Sequence, residues 1–291
     1  MDDRFAWAGP PPAEAPPEPP KRIPLEIPWI SWFVLAVLLL GCLCPVLPKD
    51  PAYMDLAHTS LPPSRAFWFG TDAMGRDIFS MIWYGGRISL FTGFAAAAVS
   101  TLAGIVFGAA SGFAPRWADA LLMRLTEILL SIPGLLLILL LQGTLGKPNV
   151  VSLSLVIGAT GWTGIAKVVR TEVLRLRESG FVAAAQCMGG GFFHILRRHL
   201  APNLLPSILF MVVMNVRSAI LTESTLSFLG LGLPLEVISW GSMLSLAETA
   251  LLSGAWWMIL IPGGFLTAAL LCVTSIGSGL RRWLNREQSN L

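Results

Sequence analysis

Ile88-Ser89-Leu90-Phe91-Thr92-Gly93-Phe94-Ala95-Ala96-Ala97-Ala98-Val99-Ser100-Thr101-Leu102-Ala103-Gly104-Ile105-Val106-Phe107-Gly108-Ala109-Ala110-Ser111-Gly112-Phe113 runs twenty-six residues without one charged side chain. A helix rising about 1.5 Å per residue over that length more than crosses the roughly 30 Å hydrocarbon core of a bilayer. The run is continuously apolar and does not alternate, so it predicts a helix and not a strand. Within it, Ala96, Ser100, Gly104, Gly108 and Gly112 recur every fourth position as a ridge of small residues. Such a ridge lets a second helix approach closely. Packing inside the subunit is the preferred reading of it, and a subunit interface is the other.

Five more apolar runs flank this one, over residues 29–47, 120–141, 150–169, 204–229 and 255–280. Together they predict an all-α, polytopic membrane protein with six transmembrane helices. Composition agrees: of 291 residues, 54% are hydrophobic and only 13% charged, too few to coat a water-soluble globule of this size. That excludes a cytosolic enzyme, a nucleic-acid binder and a disordered scaffold. Residues 1–28 carry Gly9-Pro10-Pro11-Pro12 and Pro16-Pro17-Glu18-Pro19-Pro20 and read as a disordered, Pro-rich tail. Leu39-Leu40-Gly41-Cys42 loosely resembles a lipoprotein cleavage box, but the long acidic tail before it and the five spans after it favour a retained helix.

The basic residues set the orientation. With the amino terminus inside, the inner segments hold Arg4, Lys21, Arg22, Arg116, Arg124, Lys167, Arg170, Arg175, Arg177, Arg197, Arg198, Arg281, Arg282 and Arg286. The outer ones hold only Lys49, Arg65, Arg76, Arg87 and Lys147. This positive-inside bias predicts cytoplasmic termini, with 1–28 and 281–291 as cytoplasmic tails and 48–87 as an extracytoplasmic segment. The longest inner loop, 170–203, is helical in pattern: 172–188 lacks Pro and contains one Gly, and Gly189-Gly190-Gly191 separates it from a second short helical run.

That loop reads Phe181-Val182-Ala183-Ala184-Ala185-Gln186-Cys187-Met188-Gly189, then nine residues to His199, then Ala201-Pro202-Asn203. It resembles the EAA loop of ABC importer permeases. Ala184, Ala185, Gly189 and Pro202 match the pattern, whereas Ala183 stands in place of Glu, His199 of Ile and Ala201 of Leu. Two further stretches are similar to the C-type permeases of dipeptide, oligopeptide and nickel importers. One is Gly70-Thr71-Asp72-Ala73-Met74-Gly75-Arg76-Asp77 followed by Gly85-Gly86-Arg87-Ile88-Ser89-Leu90. The other is Leu221-Thr222-Glu223-Ser224-Thr225-Leu226-Ser227-Phe228-Leu229-Gly230-Leu231-Gly232 with Ser239-Trp240-Gly241. The resemblance covers about residues 67–282. It implies a type I ABC importer permease fold with its core at 88–280, in a bacterial plasma (inner) membrane. It also implies a second, B-type permease, two ABC ATPase subunits or domains carrying ATP and Mg, an extracytoplasmic binding protein and a peptide substrate. Nickel chelates and peptide antibiotics are the alternative cargoes. The Ala183–Ala185, Gly189, His199 and Pro202 positions would form the ATPase-coupling loop.

Taken as chemistry, Gly70, Thr71, Asp72, Gly75, Arg76 and Asp77 suit a tight outer turn in which Asp side chains close onto backbone amides. On the fifth span, Ser207, Met211, Asn215, Ser218, Thr222 and Thr225 fall within about 80° of one another and make a polar stripe that could line a translocation path. Arg217 and Glu223 stand off that stripe, about 240° apart, so they cannot pair on a straight helix. Facing lipid at mid-bilayer, each would cost roughly 2.5–3.5 kcal/mol, so both are expected against the bundle, a partner or a water-filled cavity. Arg217 is the candidate for a subunit contact and Glu223 for the gate or substrate surroundings. Nothing catalytic is visible: Gly146-Lys147 runs into Pro148, Leu141 occupies the place of a phosphate loop's first glycine, and His58, His194 and His199 are scattered. Cys42, Cys44, Cys187 and Cys272 have no CxxC spacing. The chain is therefore expected to bind no cofactor and to hydrolyse no ATP itself. A self-sufficient ion-coupled transporter, with Arg217 and Glu223 in the ion path, is the alternative class.

Overall fold

The computed structural model describes residues 29–43, 50–189, 191, 194, 198, 201–234, 236–247, 250 and 254–288. The tail 1–28 and His199 lie outside that set, as do residues 44–47 at the end of the first expected span. The helices are α1 (Trp29–Leu43), α2 (Ile78–Phe113), α3 (Arg116–Ser131), α4 (Gly134–Thr144), α5 (Val150–Arg177), α6 (Gly180–Cys187), α7 (Ala201–Phe228), α8 (Trp240–Leu246) and α9 (Trp257–Gln288). Among the described residues there is no strand, only an isolated antiparallel bridge between Thr71 and Asp77. The all-α reading holds.

By length and apolarity α2, α5, α7 and α9 can each cross a membrane alone, and the spans number five if the bent pair α3–α4 counts as one. α1 is a shorter apolar helix of 15 residues as described, so six spans are compatible with the structure. The third expected span, 120–141, is not one helix: α3 and α4 meet at a 92° bend. Pro133 is the cause. It has no N–H to donate, and its ring forces Ile132 out of the helical region, to φ −87° and ψ 129°. Pro262 leaves α9 unbroken, because it lies near that helix's start and only its own bond to the Met258 carbonyl is lost.

α2 starts ten residues before its apolar run because Asp77 caps it, accepting from Ser80 N at 3.1 Å and from Ser80 Oγ at 2.6 Å. Its small-residue ridge packs on α5 within the same chain. A Cβ on Gly104 would come 2.6 Å from Ile165 Cβ, and one on Gly112 would come 2.7 Å from Val173 Cγ1. α5 is opened by a capping box in which Asn149 Oδ1 accepts from Ser152 N at 2.8 Å and Asn149 N donates to Ser152 Oγ at 3.0 Å. It runs 28 residues without a break, past the apolar stretch and into the predicted inner loop.

Candidate translocation cavity and coupling segment

α2, α5 and α7 converge on the bent α3–α4 pair around a cavity of about 280 Å³. Asn215, Ser218 and Thr222 from α7 face it, with Ser100 from α2 and Thr160, Gly161 and Thr163 from α5. Leu129, Leu130, Ile132 and Gly134 close it at the Pro133 break. Among the described residues, every polar side chain on its wall is a neutral hydroxyl or amide, and no charged side chain lines it. Such a wall can donate and accept hydrogen bonds, but it has no group to act as a general acid or base. Asn215 Nδ2 donates to Ser100 Oγ, whose hydroxyl donates to Ala96 O at 2.9 Å.

The predicted stripe thus divides. Thr225 belongs to a separate, apolar depression with Leu221, Phe228 and Leu244, and its hydroxyl donates to Leu221 O at 2.8 Å. Ser207 donates to Glu172 Oε1 at 3.3 Å, and Met211 packs beside Leu176 and Leu204. Sequence reasoning missed the α5 wall. Its signal was present as Thr160, Gly161 and Thr163 inside an otherwise apolar run, but only the packing of α5 on α2 and α7 turns them inward.

Glu223 is not among the residues that line this cavity. It is fully buried, one step around α7 from Thr222, in a nest of hydroxyls. Ser89 Oγ donates to Glu223 Oε2 at 2.9 Å, Ser227 Oγ to Oε1 at 2.9 Å and Ser224 Oγ to Oε2 at 3.3 Å. Trp240 N donates in turn to Ser89 Oγ at 3.2 Å, which ties α8 to the same nest. A buried carboxylate is tolerable where its lone pairs are satisfied in this way. Arg217 is exposed on α7 and has no ion-pair partner among the described residues.

α6 follows α5 after a short turn in which Ser179 Oγ donates to Leu176 O at 2.6 Å. Val182 and Ala185 point inward against Val169, Val173, Leu176 and Leu204. Ala184, Cys187 and Met188 point outward, and Met188 is 82% exposed. Gly189 ends the segment at φ +82°, a left-handed conformation that side chains with a Cβ rarely adopt. Pro202 falls in the first turn of α7 and is exposed. The side chain of Ala183, like His199, lies outside the described residues.

In the segment before α2, Asp72 accepts from Arg76 N at 2.8 Å and from Met74 N at 2.9 Å, and its carboxylate meets Arg76 Nη2 at 2.6 Å. Thr71, fully buried, donates to His58 O at 2.6 Å and accepts from Leu61 N at 2.8 Å. Thr71 O accepts from Trp257 Nε1 at 3.2 Å, which fastens the loop onto α9. Gly75, at φ +76°, lies so close to the Asp55 carbonyl that a Cβ would overlap it. Gly70, at φ +77°, would bring a Cβ 2.6 Å from Leu61 O.

The family model described as binding-protein-dependent transport system inner membrane component matches residues 104–289, more than half of the chain. The dipeptide transport system permease protein DppC of Bacillus subtilis is 36% identical over 251 residues, covering 86% of this chain and 78% of its own. The oligopeptide transport system permease protein OppC of the same organism is 37% identical, covering 85% of this chain and 81% of its own. OppC of Haemophilus influenzae is 40% identical, covering 74% and 68%. With helices apolar enough to cross a membrane several times, and with that match along most of its length, the chain belongs to the family of binding-protein-dependent transport system inner membrane components.

Proposed function

We propose that this chain is the C-type permease subunit of an ATP-driven importer of di- or oligopeptides, supplying one side of the translocation path. A second, B-type permease would supply the other side. Two ATPase subunits or domains would bind ATP and Mg and dock on the cytoplasmic α6 segment, and an extracytoplasmic binding protein would deliver the peptide. The chain itself binds no cofactor and hydrolyses nothing. Both termini are cytoplasmic, on the strength of the Lys and Arg distribution.

The observation that carries this reading is the continuity of α5. It walls the uncharged cavity with Thr160, Gly161 and Thr163, and a two-residue turn at its far end leads into α6, which is packed on the end of α5 through Val182 and Ala185. Movement imposed on α6 would therefore reach the cavity through one rigid element. Neutral hydroxyl and amide groups suit a cargo recognised by its backbone N–H and C=O groups, which peptides share whatever their side chains. The relatives named for dipeptide and oligopeptide transport support that choice of cargo. Arg217, exposed on α7, is the natural contact for the second permease.

The test is uptake by the reconstituted complex in proteoliposomes, with di- and oligopeptides beside nickel chelates and peptide antibiotics. Peptide uptake should require ATP and both permeases and should fall when Asn215 is replaced by Leu. Robust uptake by this chain without ATPases would overturn the proposal.

A further inference from the structure

α3 is weakly held by apolar contact. Of its sixteen residues only Thr126 is buried, and Trp117, Leu121, Leu125, Ile128 and Leu130 are exposed. What ties it to the bundle is an ion pair to α5. Arg170 donates from Nε to Asp119 Oδ1 and from Nη2 to Asp119 Oδ2, both at 2.5 Å. Ser111 Oγ on α2 donates to the same Oδ1 at 2.5 Å. The two side chains are only 28% and 17% exposed. A two-pronged guanidinium–carboxylate pair fixes angle as well as distance, which a lysine or a single hydrogen bond does not.

The position of this pair gives it meaning. Thr163, Arg170 and Arg177 are spaced by seven residues and so share one face of α5. Thr163 lines the cavity, Arg170 holds α3, and Arg177 Nη1 donates to Gly112 O at 2.6 Å just before α6 begins. Asp119 sits in the first turn of α3, and Leu129 and Leu130 at the other end of α3 form the cavity wall next to the Pro133 break. One helix thus joins the docking segment to the pair, and a second joins the pair to the bent wall.

We propose that Asp119 and Arg170 are positioning residues that make α3 follow α5 when α6 moves, so that the α3–α4 bend changes the cavity in step with the ATPases. The pair transmits displacement and touches no cargo. Without it, α5 would still move with α6, but α3, having little buried surface, would lag, and hydrolysis would proceed without matching transport. This inference rests on α6 being the ATPase-docking segment.

The experiment compares Asp119→Asn and Ala184→Arg in the full reconstituted complex, measuring peptide uptake and ATP hydrolysis on the same vesicles. Asp119→Asn is expected to keep hydrolysis within about twofold of the unmodified complex while uptake falls about tenfold, so that ATP consumed per peptide rises. A merely structural loss would lower both together and leave that ratio unchanged. Ala184→Arg, on the exposed face of α6, is expected to depress hydrolysis itself. Should Ala184→Arg leave peptide-stimulated hydrolysis untouched, the docking assignment is overturned. Should it depress hydrolysis while Asp119→Asn lowers uptake and hydrolysis in equal proportion, the transmission role alone is overturned. A second measurement leaves the pair intact: spin labels at Leu125 on α3 and Thr171 on α5, both exposed. Their separation should be the same with and without ATP, and a shift of several ångströms would refute joint movement.

Discussion

A single methyl group added at Gly108 should destabilise the protein, although alanine is the better helix former. The Cβ would lie 2.5 Å from the Ala166 carbonyl oxygen and 2.8 Å from Val169 Cβ, where ordinary contact begins at 3.4 Å. The oxygen is α5 backbone and cannot rotate away, so α2 and α5 must part locally by about 1 Å. Relief by tilting is blocked on both sides. At Gly104 and Gly112, one turn away in each direction, an added Cβ would likewise fall 2.6 and 2.7 Å from Ile165 and Val173, so the two helices are equally close there. Overpacking of this kind costs about 1–3 kcal/mol, and each flanking contact opened by about 1 Å forfeits a quarter to a half of its dispersion well. Alanine returns up to about 1 kcal/mol through helix propensity, leaving a net loss of about 1–2 kcal/mol. Gly164→Ala in α5 is the matched control, because nothing lies within 4 Å of its Cβ position. Thermal unfolding of the two purified variants side by side should put Gly108→Ala about 2–8 °C below the unmodified protein, and Gly164→Ala level with it or above. Equal melting of the two variants would refute the close α2–α5 packing on which the fold account depends.

Gly189→Val should leave membrane insertion intact but lower peptide-stimulated ATP hydrolysis severalfold, because φ +82° is strained for a β-branched residue; wild-type hydrolysis would remove Gly189 from the coupling turn. Glu223→Leu should cost about 2–4 kcal/mol of stability by leaving the Ser89 and Ser227 hydroxyls without their acceptor, and Glu223→Gln should cost less, since its amide oxygen can still accept. Thermal unfolding ranks the two, and identical melting would mean that the serine nest does not hold the carboxylate. Asp72→Ala should free the outer loop from its Arg76 anchor, which faster proteolysis between 50 and 77 would register, with intact protease resistance counting against it.

Membrane residence and helical class were legible in the chain because apolar length is a property of a run of residues, readable before anything packs. The helix α6 and the Gly189 turn were legible for the same reason, since both are local. The third expected span is divided at Pro133, and its 92° turn depends on the neighbours that α3 and α4 find after the break. The polar stripe on α7 was visible by periodicity alone. Yet which of its members face a cavity was settled by α2 and α5, so that Asn215, Ser218 and Thr222 stayed together while Thr225 was set aside. In the sequence Glu223 is a lone carboxylate in an apolar run, with no visible partner. Its partner Ser89 lies 134 residues away in the chain, as Arg170 lies 51 residues from Asp119. Periodicity assigns a side chain to a face of its own helix. Only the close approach of helices from distant parts of the chain, permitted here by the glycines of α2, determines what that face meets.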